Sequence, residues 1–262
     1  MIRKSDWPLL GLKAAPTGGP VRFGVPAAAS SLPLREVTEL YPTWAADPRG
    51  RLRLGFGCSL HWGQARSLVA ALRTQFAGVE LSLADVGEHE AGEALLREDL
   101  DAAILVQCEP PEGLRAASLW SERLIAAVPE GHRLAEGNAV DPADLRQEAV
   151  LLPGRAQAHT GLQRAISRAL GGSPATFVRE DVERDTLFDL VALDFGVTVA
   201  PGATTGAFYP GVVFRPILGP GAEVSYTLVW KPDSRNPALH EFIRFARAFG
   251  RDLPRRPAAT GR

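Results

Sequence analysis

At 262 residues, with 45% hydrophobic and 23% charged residues, the chain is long enough for one large domain or two modest ones with real cores. A formal net charge of -1 excludes a global electrostatic pull toward nucleic acid or an acidic membrane, and two cysteines exclude a disulfide framework. No apolar run is long enough to cross a bilayer, and the opening MIRKSDWPLLGLKAAP, broken by Pro8 and Gly11, reads as a poor signal peptide, so a cytoplasmic, membrane-free protein is expected.

Residues 1–50 hold seven prolines and five glycines, with no sustained helical or strand period, and six Lys/Arg against four Asp/Glu. Mostly irregular structure is expected there, with a short helix at Leu34–Leu40. The texture changes at Arg51. Leu52–Phe56 reads as a strand that runs into Gly57, Cys58 and Ser59. Trp62, Ala65, Val69, Leu72 and Phe76 recur at helical spacing, which predicts a helix over 61–76. GVELSLADV is a second strand, EHEAGEALLRE a second helix, and LDAAILVQC a third strand, apolar without alternation as in a parallel strand covered on both faces. This βαβαβ order predicts a parallel sheet with right-handed crossovers.

Further strands are expected at Leu119–Val128, Ala149–Pro153, Thr176–Arg179, Val197–Ala200, Val212–Ile217 and Tyr226–Trp230. Helices fall near 160–170 and 183–193, and Pro237 opens a closing helix over PALHEFIRFARAFGR. The short middle strands, set among Gly and Pro, point to a second α/β lobe inserted into the first.

GRLRLGF with Ser59 three residues on, LVAALRTQFAGVELSLADVGEHEAGEALLREDLDAAIL, SERLIAAVPEGHRLA, LVALDFGVTVAPGA, GVVFRPI and TLVWKPDSRNPALHEFI follow one another in a set order. Together they resemble the effector-binding domain of LysR-type transcriptional regulators over roughly residues 51–250. The resemblance implies two α/β lobes with the chain crossing between them twice, as in type II periplasmic binding proteins. On this reading lobe I takes about 51–120 and 226–250, lobe II about 121–225, and 251–262 is a tail. It further implies a small-molecule effector in the inter-lobe cleft, outside the carboxyl ends of parallel strands, where ligands are also placed on physical grounds. A side-by-side homodimer is implied as well, with Leu68 giving helix 61–76 a second face to bury.

Two departures stand out. Family members carry a winged helix-turn-helix and a linker helix, whereas residues 1–50 are proline-rich and nearly neutral. DNA is therefore expected as a partner only where a helix-turn-helix is supplied by sequence outside these residues. A free-standing small-molecule binding protein of the same fold is the alternative. The second departure is Phe195 in LDFG, which is expected to narrow the cleft or repack the hinge.

A strand that ends at a helix N-terminus gathers unpaired N–H groups and the positive end of the helix dipole, so such corners hold small anions. Ser59 heads the first corner, where the family places a side chain that bonds the effector, commonly a carboxylate. Its other role is the N-cap of helix 61–76. Leu60 and His61 share that turn. Gly87 and Glu88 form the second corner. Glu88 is also a favourable first-turn carboxylate, and facing the cleft it disfavours an anion beside it. Val106 and Gln107 end the third strand. Across the cleft stand Pro153, Gly154 and Arg155, the arginine being either the partner of an effector carboxylate or a solvated loop residue. Val199, Ala200 and Pro201 complete that side. Cys58 and Cys108 end neighbouring strands and, with His61, His89 and His159, raise a redox or soft-metal reading. Their separation of fifty positions, and the usual role of a buried cysteine as a small hydrophobe, weigh against it. Ser59 and His61 lack a third group to orient the imidazole, so no catalysis, metal or cofactor is expected.

Overall fold

Strand β1 (Gly50–Phe56) pairs in parallel with β2 (Val79–Asp85) on one side and β3 (Ala102–Val106) on the other. These pairings are seen in a computed structural model that describes residues 49–61, 63–153, 160–172 and 176–252. The expectations for Leu34–Leu40 and Arg155 lie outside the described residues, as does 253–262 of the expected 251–262 tail, whose first two residues instead continue the closing helix. Helices α1 (Gly63–Gln75) and α2 (Glu88–Leu96) make the two crossovers of the parallel unit. Leu52, Leu54, Phe56 and Ile104 are buried in one core, while Ala103 and Leu105, one residue out of phase on β3, are buried in a second on the opposite face. Coverage on both faces is why LDAAILVQC shows no alternation.

The sheet then turns antiparallel. Strand β4 (Arg115–Pro129) is followed by β5 (Ala149–Pro153), β6 (Thr176–Glu180), β7 (Thr198–Pro201), β8 (Val212–Pro216) and β9 (Glu223–Trp230). The order across the main sheet is β2-β1-β3-β9-β4-β7, with β8 also on β4. From Arg115 to Arg123, β4 lies against β9; from Leu124 onward its partners are β7 and β8. One strand therefore belongs to both lobes. The return crossing runs beside it: the Leu124 N–H donates to the Ala222 carbonyl at 2.9 Å, and an Arg123 guanidinium N–H donates to the Ile217 carbonyl at 2.7 Å. In the second lobe β5 and β6 pair in parallel, and the Leu151 N–H joins β5 to the Val197 carbonyl ahead of β7.

The remaining helices are α3 (Pro142–Leu145), α4 (Thr160–Ala169), α5 (Arg184–Ala192) and α6 (Pro237–Asp252). α6 lays Phe242, Phe245 and Phe249 fully buried against the first sheet, with Phe245 edge-on to Phe76 at 5.5 Å between ring centroids. α3 was not anticipated, although Asp141 caps the Ala143 N–H at 2.7 Å and Pro142 opens the turn.

Four expectations need correction. β4 starts at Arg115, not Leu119, because Arg115 to Ser118 lack strand-forming residues and are held by pairing with β9. α1 begins at Gly63 rather than 61. Leu68 is fully buried in the chain's own core and offers no second face. Phe195 follows α5 with 62% of its surface exposed, beyond Asp194 at φ 65°, so it points to solvent instead of into the cleft or hinge.

Candidate functional site

The first corner keeps its shape through Ser59, whose buried hydroxyl oxygen accepts the His61 N–H at 3.2 Å. Because α1 starts four residues later, this bond tightens the turn ahead of the helix and does not cap it. Leu60 packs on the core.

Beside this corner lies a residue that sequence reasoning did not select. Glu122 sits on β4 two residues before the strand changes sheets. Its Oε2 accepts the Ala203 N–H at 3.0 Å, in the short turn that follows β7. Its Oε1 comes within 3.2 Å of where a Cβ on Gly63 would lie, and the Ala203 methyl within 3.1 Å. Gly63 also has φ +76°, so glycine is required there for both space and backbone. Burial lifts the Glu122 pKa above the usual carboxylate range, and the Ala203 N–H, which pulls it down, does not offset this.

Around this carboxyl, Trp120 stacks on Tyr226 at 5.1 Å between centroids. Cys58 lies close enough that, after burial, Glu122 is the largest influence raising its thiol pKa. Arg184, at the start of α5 in the second lobe, acts with the opposite sign on both Cys58 and Tyr226. Five buried polar atoms here and on the adjoining turns make no hydrogen bond among the described residues: Glu122 Oε1, Trp120 Nε1, Thr204 Oγ1, Arg184 Nε and His61 Nδ1. Folded proteins leave few such atoms, each at a cost of about 1–3 kcal/mol.

The second corner meets the second lobe directly. Gly87 precedes α2, and Glu88 extends its Oε2 to the Gly161 N–H of α4 at 2.9 Å, with Arg164 at 3.3 Å from Oε1. Arg164 also donates to the Gln107 carbonyl at 3.1 Å. A Cβ on Gly161 would fall 2.2 Å from the Val106 carbonyl oxygen, so only glycine lets α4 approach the end of β3 this closely. Glu88, Val106 and Gln107 are thus gathered at one inter-lobe contact, and Ser59, Leu60 and His61 lie at the neighbouring corner. Pro153 is buried at the end of β5, and Pro201 is half-buried just ahead of the turn that holds Ala203. The Val199 side chain is in the core, so only its backbone is available to a ligand.

Cys58 and Cys108 do not face one another: they belong to the separate cores on opposite faces of the sheet. Burial, and next the Glu88 carboxylate, push the Cys108 thiol up to about 12. No group of three or more His, Cys, Asp or Glu with metal-binding geometry occurs among the described residues. Among the same residues, no helix is long and apolar enough to cross a membrane.

Glu122 left a readable signal, a charged pair (Glu122, Arg123) inside the otherwise apolar strand LWSERLIAAV. Arg184 left none, being one of several charges in VREDVERD.

Comparison with known proteins gives this geometry a context. XapR of Escherichia coli (strain K12), an HTH-type transcriptional regulator, is 29% identical over 170 residues, 64% of this chain and 57% of that protein. IlvR of Caulobacter vibrioides, another such regulator, is 30% identical over 207 residues, 74% and 66% respectively. The chain thus spans 57–66% of the length of these two relatives. The effector binding domain of BenM, solved with its effector benzoate, superposes with a TM-score of 0.66 at 23% identity, over 79% of this chain and 97% of that one. Full-length CbnR, solved with its target DNA, gives a TM-score of 0.68 at 18% identity, over 76% and 70%. Both share the fold, which is the two-lobed type II periplasmic-binding-protein-like architecture. The family model of the LysR substrate binding domain matches residues 45–251, most of the chain, and the protein belongs to that family.

Proposed function

We propose that this chain is the effector-sensing part of a cytoplasmic LysR-type transcriptional regulator, in which a small carboxylate-bearing molecule binds between the lobes and resets their relative orientation. The observation that supports the reading is the set of buried, unpartnered polar atoms around Glu122 and Arg184, where β4 passes from one sheet to the other. A ligand held at that point contacts both lobes at the crossing, so its binding free energy biases their angle. Ser59 presents a hydroxyl beside the corner, and Arg184 supplies the cation; Arg155 and its neighbours lie outside the described residues. BenM, which shares the fold, is solved with benzoate, a carboxylate. Contact with DNA would come from a helix-turn-helix outside these residues, and two copies would associate through the α1 and β2 side.

A thermal-shift screen of aromatic and aliphatic carboxylates tests the reading, because a molecule that binds only the folded state raises its melting point. At least one is expected to stabilise the protein, and Ser59→Ala should weaken it by roughly ten- to a hundred-fold, the equivalent of one charge-assisted hydrogen bond. Unchanged affinity in Ser59→Ala would mean that the serine only shapes the turn.

The proline-rich, nearly neutral composition of residues 1–50 favours a second reading, a stand-alone binding protein of the same fold. A gel-shift assay at low salt checks what both readings share: this chain alone should give no sequence-specific shift, and a sharp one would overturn both.

A further inference from the structure

We propose that the effector carries an ammonium group next to its carboxylate, with Glu122 accepting the ammonium and Arg184 pairing the carboxylate. The proposal rests on the inter-lobe cleft reading above and specifies its chemistry.

Glu122 is a carboxyl that the fold holds out of water without a cation. One oxygen takes the Ala203 N–H; the other, Oε1, is buried and unbonded among the described residues. No ion pair joins Glu122 to Lys, Arg or His among those residues. Arg123, next along the strand, turns the other way to the Ile217 carbonyl and Glu223. A buried carboxyl with an open oxygen is a strong acceptor for a positively charged donor and a repulsive neighbour for an anion. A plain carboxylate at the Ser59 corner would lie beside it.

Arg184 supplies the opposite half. Its charge is felt by Cys58 and Tyr226, which flank Glu122, yet it forms no salt bridge with Glu122, and its Nε is buried and unbonded among the described residues. Glu122 on β4 and Arg184 on α5 thus carry opposite charges with no salt bridge between them, as a zwitterion requires. Thr204, 1% exposed, and Trp120, 6% exposed, each keep a buried polar atom free of partners there. The stacked Trp120 and Tyr226 rings add aromatic surface next to Glu122, a favourable neighbour for an ammonium group. The ligand class that fits is a small amino-acid-like zwitterion.

The test titrates the purified protein with L-amino acids and with their deaminated counterparts: L-leucine against 4-methylpentanoate, L-phenylalanine against 3-phenylpropanoate and L-glutamate against glutarate, extended to the other standard amino acids. Melting point and calorimetry are the readouts. At least one amino acid should bind ten-fold or more tightly than its deaminated partner. Glu122→Gln should erase that preference by weakening the amino acid alone, whereas Arg184→Ala should weaken both members of a pair. If deaminated acids bind as well as the amino acids, or better, Glu122 is no ammonium acceptor and the carboxylate-effector reading survives. If neither series binds, both readings fall. Should Glu122→Gln lose its cooperative melting, the preference of the unaltered protein and the Arg184→Ala titration still decide the matter.

Discussion

Glu88 Oε2 and the Gly161 N–H, 73 residues apart in sequence, meet at 2.9 Å and join the first turn of α2 to the first turn of α4 in the other lobe. An N–H in the first turn of a helix has no intrahelical partner, so the carboxylate supplies its acceptor. Removing that acceptor in Glu88→Ala should accelerate hydrogen exchange of the Gly161 amide by about ten-fold or more, the equivalent of a charge-assisted bond. Exchange in β1 should stay unchanged. Equal protection of Gly161 in both proteins would show that the pair does not hold the lobes together.

Asp101 offers a pH-dependent test far from the cleft. Its side chain, 8% exposed, accepts the Arg53 backbone N–H at 2.7 Å and two guanidinium N–H groups at 3.2 and 3.0 Å. Burial alone would raise its pKa, but the bonds from Arg53 outweigh this and the net direction is downward. A pKa lowered on folding gives stability that is fully present above the ordinary aspartate value of about 3.9, and lost as pH falls through the native value. Asp101→Asn should therefore lower the unfolding free energy by about 1.5–3 kcal/mol at neutral pH. Urea titrations should show this gap closing in acid; a gap that persists would contradict the assignment.

The two thiols should be inert in the native protein. Both are buried, and both are shifted upward, Cys58 by burial and the Glu122 charge, Cys108 by burial and the Glu88 charge. The thiolate is the reactive species, so a chromogenic disulfide reagent at mildly alkaline pH should label neither residue until denaturant is added. Their places on opposite sheet faces also forbid a bond between them without unfolding. A disulfide formed by mild peroxide treatment of native protein would refute this.

Self-association should use the β2 side of the first sheet. β2 is an edge strand, Leu83 on it is 44% exposed, and Leu72, Arg73, Phe76, Ala77, Val79 and Leu81 line a groove between it and α1. Sedimentation should give a mass near twice 28.1 kDa. Leu83→Glu, exposed in the single chain, should yield monomers that still melt cooperatively, at a melting point no longer dependent on protein concentration. A variant that remains dimeric would move the interface elsewhere.

Much of this architecture was legible because the hydrophobic period changes where the elements change. The parallel β1-β2-β3 unit announced itself through α1's helical spacing and the uninterrupted apolar run of β3. What escaped was whatever depends on distant partners. Arg115–Ser118 form a strand only because β9 pairs with them, and the register of that pairing cannot be read from four small or polar residues. The same holds at the site. Ser59 stood out because a strand-to-helix corner is a local signature, but Glu122 becomes a cleft carboxyl only once Gly63 and Ala203 fold against it. Arg184 needed the second lobe to be placed at all. The cysteines end neighbouring strands of the same sheet, yet Gln107, at φ 50°, interrupts the alternation just ahead of Cys108, and the two side chains lie in cores on opposite faces.

The position of β9 has a consequence for how the chain is made. It lies between β3 and β4 in the finished sheet, although more than ninety residues separate it from the end of β4 along the chain. As synthesis proceeds from the N-terminus, β3 and the first half of β4 emerge with their shared neighbour still untranslated. The inserted lobe can close its own parallel pair, β5 with β6, while the first sheet still lacks a central strand. The lobe begun first on the ribosome is therefore the one completed last.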